Sequence, residues 1–338
     1  MTETINPTTA GGIDAMPVTG TSLDSLNLQL VRDHLRAAMD ANRYTGPTDP
    51  VTYLRQHNCL IDVAGTTLVT LTGLLCFGVN PQQFFSNAVV DLGHYGSTKP
   101  VSVDALTIRK NIGGTIFAQI QQVLSFLAER MKTRSVLAIE SIERLDIAEY
   151  PPVVLRELCL NMICHRDYVH DLAASRVLLL SNRIEWVSPG GLQPGISIEK
   201  ILISQKSRNP NIMAICYEAG LVESFGQGLD TVVEVLDREG MKPPQFVDTG
   251  HSFIVTIYGR DMTSADVMSS MAITQRLILD ALATHGTISG SSFRKMFPTQ
   301  SQRTIQRHLT HLVDTKQIAR HGAGPASAYT LVENADVM

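Results

Sequence analysis

Three polar side chains stand four residues apart in the stretch YPPVVLRELCLNMICHRDY, residues 150–168: Glu157, Asn161 and His165. On an α-helix that spacing places a carboxylate, a carboxamide and an imidazole in line on one face. A carboxylate beside a water molecule is a general base, and a carboxamide oxygen is a hard ligand for a divalent cation. The neighbours Leu155, Leu158, Cys159, Met162 and Ile163 are apolar enough to bury most of such a helix. Polar groups buried there without partners cost about 1–3 kcal/mol each, and a ligand is one way to supply the partner. The other reading for Glu157 is an ion pair with a base from outside the helix, such as Arg144.

Further along, SPGG at residues 188–191 can bring main chain close to a ligand, with Ser188, Gly190 and Gly191 as its contacts. GQGL at 226–229 opens a helical pattern through Val232, Val233 and Leu236. Free amides at a helix start, together with the helix dipole, attract anions, which makes Gly226 and Gly228 a candidate phosphate cradle. Between the two glycine stretches, Ser207 and Asn209 in SRNP either meet the ligand or cap a helix beginning near Asn211. His165, Arg166 and Asp167 are placed to complete the pocket or hold its entrance in shape.

The elements that must position these groups are readable. Pro151 and Pro152 suit the first turn of a helix, where no amide donor is needed. Residues 176–180 and 184–187 read as strands joined by the turn SNR, and residues 252–258 as a strand that closes the sheet.

On YPPVVLRELCLNMICHRDY, NRIEWVSPGGL (182–192), SRNP (207–210) and LVESFGQGL (221–229), the region from 150 to about 258 resembles the ATP-binding domain of the GHKL (Bergerat-fold) superfamily. The form is the one found at the end of RecG-like, Schlafen-associated transcriptional regulators. The resemblance implies ATP and Mg²⁺ as cofactors. It gives Glu157 the role of polarising the attacking water and Asn161 that of holding Mg²⁺ against the triphosphate, and it makes SRNP and GQGL the lid and second glycine box. An aspartate that contacts the adenine amino group in better-studied members has no counterpart in SPGG, and Glu185 is the acid nearby. The half before residue 149 resembles the connector of the same regulators. The Schlafen/AlbA-type domain that normally precedes it has no room in about thirty residues, and nothing is carried over from it.

In that half, residues 22–42 and 51–58 read as helices, 59–63 and 66–70 as strands around Gly65, and 71–85 as a compact apolar element. NAVVDLGHYG is β-like, and residues 111–130 form an amphipathic helix with Ile112, Ile116, Ile120, Val123, Leu124 and Leu127 on its apolar side. The apolar run at 60–79 contains Asp62, four threonines and three glycines, so it reads as strands with a turn and not as a membrane span. Residues 1–22 lack a basic region followed by an apolar stretch and read as a disordered tail, not a signal peptide. Five cysteines without a CxxC pair read as reduced core residues of a cytoplasmic protein, with no zinc site.

The net charge of −4 conceals an asymmetry. Residues 272–321 carry seven Lys/Arg against two acids, a net +5, which leaves −9 elsewhere. A basic segment on an acidic body is the pattern of a domain that meets nucleic acid. After the polar linker DMTSADVMSS come three short helical patterns and, around 322–325, a two-strand wing, which together predict a winged helix-turn-helix. Ile305, Leu309 and Leu312 face its core; Gln302, Arg303, Gln306 and Arg307 point outward to phosphates and base edges, and Arg320 with His321 on the wing reaches the backbone. The alternative is a protein-interaction or dimerisation module.

Several look-alike motifs are set aside. HRDY at 165–168 lacks the asparagine a kinase catalytic loop needs, since Leu172 stands there. Lys99 in GSTKP is not a P-loop lysine. His165, Asp167, His170 and Asp171 form a polar turn without needing a metal.

The expectation is an α+β chain: a tail over 1–22, an α/β connector domain over 23–148, a GHKL-like α/β sandwich over 149–260, a linker over 261–271 and a winged helix over 272–332. Its expected function is ATP-binding, DNA-binding transcriptional regulation in the cytoplasm, with double-stranded DNA as partner, a homodimer and no membrane. The alternatives are an ATPase acting on nucleic acid or in defence, and a degenerate domain that binds no nucleotide and serves as a dimerisation scaffold.

Overall fold

Local capping chemistry starts the first helices of the computed structural model, which describes residues 12–99, 106–137, 144–169, 173–202, 207–222, 228–260, 270–297, 302–322 and 327–332. Asn27 accepts from the amides of Gln29 and Leu30 at 3.1 Å and opens α1 (Leu28–Asp40). Asp49 accepts from the Thr52 amide at 2.8 Å and, with Pro50 in the first turn, opens α2 (Pro50–Gln56). Ala64 and Gly65, both at positive φ, turn β1 (Leu60–Val63) antiparallel into β2 (Thr66–Val69). Thr70 caps α3 (Leu71–Phe77), all of whose residues are buried.

The chain then enters a mixed sheet through β3 (Val90–Tyr95) and β4 (Leu106–Ile112). The helix expected over 111–130 begins later, because Asn111 and Ile112 belong to β4, Gly114 turns the chain at φ +85°, and Thr115 caps α4 (Ile116–Ala128). A hairpin follows, β5 (Thr133–Leu137) against β6 (Arg144–Ala148). Next come α5 (Pro152–Cys164), β7 (Ser175–Leu179), β8 (Arg183–Pro189), α6 (Pro210–Glu218), α7 (Leu229–Arg238), β9 (Gln245–Asp248) and β10 (Ser252–Tyr258). The sheet runs β4-β3-β7-β8-β10-β9, with β3 and β7 parallel and every other neighbouring pair antiparallel. Val177, Leu179, Ile184, Trp186, Val255 and Ile257 alternate onto the buried face, where α4 and α5 pack.

Two expectations are corrected. The connector is not a body apart from the sheet: β3 and β4 lie before residue 149 yet extend the strands that follow it, and residues 1–131 with 150–260 form one compact unit. Nor are residues 12–22 a tail. The Val18 amide donates to Val69 O at 2.8 Å, and fully buried Asp14 accepts at 2.8 and 3.0 Å from the Asn211 and Ile212 amides, capping α6 from 197 residues away. Residues 1–11 lie outside the described set. A second polar tie joins α6 to α1 and α2: Glu218 accepts from Tyr53 Oη at 2.7 Å, the same oxygen stands 3.4 Å from His34 Nε2 of α1, and its other oxygen stands 2.7 Å from His57 Nε2.

The second compact unit comprises residues 132–149 and those from 261 on. In it α8 (Ser270–His285), β11 (Ile288–Ser289), α9 (Gly290–Met296), α10 (Gln302–Asp314), β12 (Ile318–His321) and β13 (Ala328–Leu331) follow in order. The strands form an antiparallel sheet ordered β11-β13-β12. Ile305, Leu309 and Leu312 of α10 meet Ile278, Leu282 and Phe293 in its core. Most of the expected linker, residues 261–269, lies outside the described set. Among the described residues no helix is long and apolar enough to cross a membrane, and all five cysteines are buried and unpaired.

Candidate functional site

Strand alternation and helix phase together enclose a cavity of about 340 Å³ in the first unit. Trp186 and Ser188 of β8 sit opposite Val255 and Phe253 of β10, and these four floor it. Residues of α5 form one wall, and the starts of α6 and α7 contribute Pro210, Met213 and Leu229. Glu185, one residue out of phase with Trp186, falls on the other face of the sheet and pairs with Arg183 at 2.7 Å. Pleat geometry therefore removes it from the cavity.

Glu157, Asn161 and His165 all line the cavity, as their four-residue spacing requires. On α5 the distance from the first to the last is about 12 Å at 1.5 Å per residue, so the cavity has two ends. At the first, the Asn161 carboxamide donates to Glu157 O at 2.8 Å, which leaves its oxygen as an acceptor. Gly228 packs against it so closely that a Cβ there would lie 2.9 Å from Asn161 Nδ2. Asp230 also lines this end and accepts from the Gly228 and Thr231 amides at 2.8 and 2.9 Å. The α7 terminus thus carries its own carboxylate where a phosphate cradle was expected. Gly226 lies outside the described residues, as does the Arg144 side chain offered as a partner for Glu157.

At the second end stand His165, Ser188, Gly190, Gly191, Ser207 and Arg208. Arg208 Nη1 pairs with Asp167 Oδ2 at 2.7 Å, and Nη2 donates to Gly191 O. Gly190, at φ +88°, has Arg208 and Asp167 where its Cβ would be, at 2.5 and 2.6 Å. The glycine makes room for this ion pair, not directly for a ligand. Ser188 Oγ donates to Met162 O at 3.1 Å and ties β8 to α5. Desolvation of the His165 ring, with Arg208 nearby, pushes its pKa down to about 4, so the imidazole is neutral at physiological pH.

Three predicted residues do not line the cavity. Arg166 is buried, and its guanidinium donates to the carbonyls of Val89 (3.1 Å), Ala173 (2.6 Å) and Asn87. Asn209 is buried with its amide on Cys164 O and Arg166 O at 2.8 and 2.9 Å, and it makes no side-chain cap on α6. Asp167 does not line the cavity; it packs against Gly190 and pairs with Arg208, which does. Among the polar lining residues, Gln193, Arg208 and Asp230 were missed. Arg208 sits inside the quoted SRNP, and a cation flanked by two helix-start residues was its only signal; Asp230 follows GQGL directly, as an acid in a first helical turn.

The first end gathers the oxygens that would hold a divalent cation. Asn161 Oδ1, Glu157 and Asp230 offer hard oxygens, while no cluster of three His, Cys, Asp or Glu occurs among the described residues. That sparse set fits Mg²⁺, which keeps waters and substrate phosphates in its shell instead of taking a full protein cage.

In the second unit Arg303, Gln306 and Arg307 are exposed on α10, and Gln306 Nε2 reaches Tyr329 Oη at 3.4 Å. Arg320 is exposed on β12, with Nη2 on Ser327 Oγ at 2.8 Å. The side chain of Gln302 lies outside the described set.

Residues 173–257 match the family described as "Putative ATP-dependent DNA helicase recG C-terminal". The match begins after α5, so Glu157 and Asn161 precede it. None of the curated proteins matches. Among solved structures, the chain is similar to the crystal structure of the DIP2311 protein from Corynebacterium diphtheriae, with a TM-score of 0.59 at 17% identity. The likeness covers 95% of this chain and 64% of that one, so the chain spans less than two thirds of its length. At that identity the likeness is one of fold, and the family match is what supports an ATPase-like domain over residues 173–257.

Proposed function

We propose that the chain is a nucleotide-responsive DNA-binding regulator, in which a GHKL-like domain takes Mg·ATP and a winged helix meets double-stranded DNA. The observation that carries the reading is the convergence of Glu157, Asn161, Ser188, Gly190, Ser207 and Gly228, from separate stretches of sequence, on one cavity of about 340 Å³. That volume lies within the usual range for small-molecule sites. Asn161 Oδ1 and Asp230 would hold Mg²⁺, and Glu157 would orient water if the nucleotide is hydrolysed. When bound, Mg²⁺ supplies charge neutralisation of the phosphates. The chain's own apolar walls, Leu160, Met162 and Ile201 among them, exclude water from the base.

For the second unit the support is the helix order α8, α9, α10, the sheet β11-β13-β12, and the cations Arg303, Arg307 and Arg320 on the exposed side of α10 and β12. A homodimer reading a two-fold site belongs to the same proposal. The degenerate-scaffold reading is favoured by one observation, the Asp230 carboxylate already seated on the α7 amides.

Anisotropy of labelled duplex DNA titrated with the full chain tests the proposal. The expected result is salt-dependent binding, a log–log slope that drops by about 1 in each of Arg303→Ala and Arg307→Ala, and an affinity shift of about 5-fold or more on adding Mg·ATP. Absence of DNA binding at low salt, or binding indifferent to Mg·ATP, would overturn it.

A further inference from the structure

We propose that Arg208 reads the base edge, so that the cavity accepts a 6-oxopurine nucleotide such as GTP at least as tightly as ATP. The inference rests on the nucleotide reading above and deepens it.

The cavity is electrically polar along α5. Its lining acids among the described residues, Glu157 and Asp230, stand with Asn161 at one end, where a metal-bridged phosphate belongs. The base then lies about 12 Å along the helix, beside His165, Ser188 and Arg208. Arg208 is the cation lining that end. Of its five N–H donors, Asp167 and Gly191 O take one each, and among the described residues the others have no recorded acceptor.

The Asp167 carboxylate, which could otherwise accept from an adenine amino group, is engaged by Arg208 and does not line the cavity. Ser188 has its hydroxyl proton on Met162 O. Arg208 is therefore the charged donor on the wall facing the base, while Ser188 Oγ offers only lone pairs. Guanine presents two adjacent acceptors, N7 and O6, which a guanidinium pairs bidentately; adenine presents N7 beside an N6 amino donor, which faces the cation donor to donor. Gly190 leaves room for the arginine in this position, since any Cβ there would displace Nη1, and the bonds to Asp167 and Gly191 O hold it.

The test is calorimetric titration of Mg·GTP and Mg·ATP into the full chain and into Arg208→Gln and Arg208→Lys, with thermal unfolding to show that each variant folds. Glutamine pairs with adenine N6 and N7, so Arg208→Gln should move the ratio of the two dissociation constants about tenfold or more toward ATP. Arg208→Lys keeps the charge and loses the fork, so the GTP advantage should shrink while ATP affinity holds. Wild type binding ATP more tightly than GTP would overturn the inference and leave the nucleotide site standing. Variants that weaken both nucleotides equally would make Arg208 a phosphate contact and overturn it too. If neither nucleotide binds wild type, the nucleotide reading itself falls and this inference with it.

Discussion

Arg166→Ala is expected to cost the first unit about 3 kcal/mol of stability. The side chain is 1% exposed, and its guanidinium donates to the carbonyls of Val89, Asn87 and Ala173. It also lies over the Tyr168 ring, 5.0 Å from the centroid. Truncation removes the charged donors and their bridge, worth about 1.5–3 kcal/mol, while Val89 O keeps the Ser175 amide at 3.2 Å, Asn87 O keeps the Val89 amide at 2.7 Å, and Ala173 is exposed to water. These carbonyls belong to the loop before β3 and the chain before β7, the two strands that pair in parallel, so the loss falls on the junction that joins the early strands to the later ones. Arg166→Lys should recover only part, since an ammonium cannot span three acceptors in one plane. Urea unfolding of the three proteins checks this, and a loss under about 1 kcal/mol would show that the network is dispensable.

The second large effect is at Glu218. Burial alone would raise its pKa, but hydrogen bonds from His34, His57 and Tyr53 overcome that and bring it to about 2. His57 moves the other way: burial would lower its pKa, yet the bond to Glu218 holds it above the ordinary value. Its ring nitrogens stand 3.0 Å from Tyr53 O and 2.7 Å from Glu218 Oε1, two acceptors that only the doubly protonated imidazole satisfies. The depressed carboxyl contributes stability above its unfolded pKa of about 4.3 and loses it as pH falls toward 2. The raised imidazole contributes stability below its unfolded pKa of about 6.5 and loses it as pH rises through its folded value. Both contributions are present together between about pH 4.5 and 6.5, so stability should peak there. Glu218→Gln should cost about 3 kcal/mol within that window and flatten the alkaline limb. A stability profile with the same shape in wild type and variant would refute the pairing.

What could be read beforehand divides along sequence distance. The face carrying Glu157, Asn161 and His165 was legible because a helix repeats every 3.6 residues, and Pro151 and Pro152 marked its start. Ile305, Leu309 and Leu312 were legible for the same reason. Asp14 was not: nothing local says that a residue in a Gly-rich leader will cap α6, and only the fold brings it to Asn211. Local reading offered Ser207 or Asn209 as that cap or as a ligand contact, whereas the Asn209 amide holds the end of α5. Gly190 was read as letting main chain approach a ligand and Gly228 as part of a phosphate cradle, but Arg208 and Asn161 pack against them. Arg166 and Asp167, adjacent in sequence, part ways because one is turned into the protein and the other toward Arg208. A motif gives residue types; which of them face the cavity depends on contacts it does not contain.

The most direct test of the central claim is calorimetric titration of Mg·ATP into wild type and Asn161→Ala. The account predicts saturable binding by wild type and a loss of about 10–100-fold or more in the variant, because the carboxamide oxygen at the first end of the cavity is gone. Absence of heat and of competition at millimolar ATP with wild type, or equal binding by both proteins, would contradict the assignment of this cavity to a metal-bridged nucleotide.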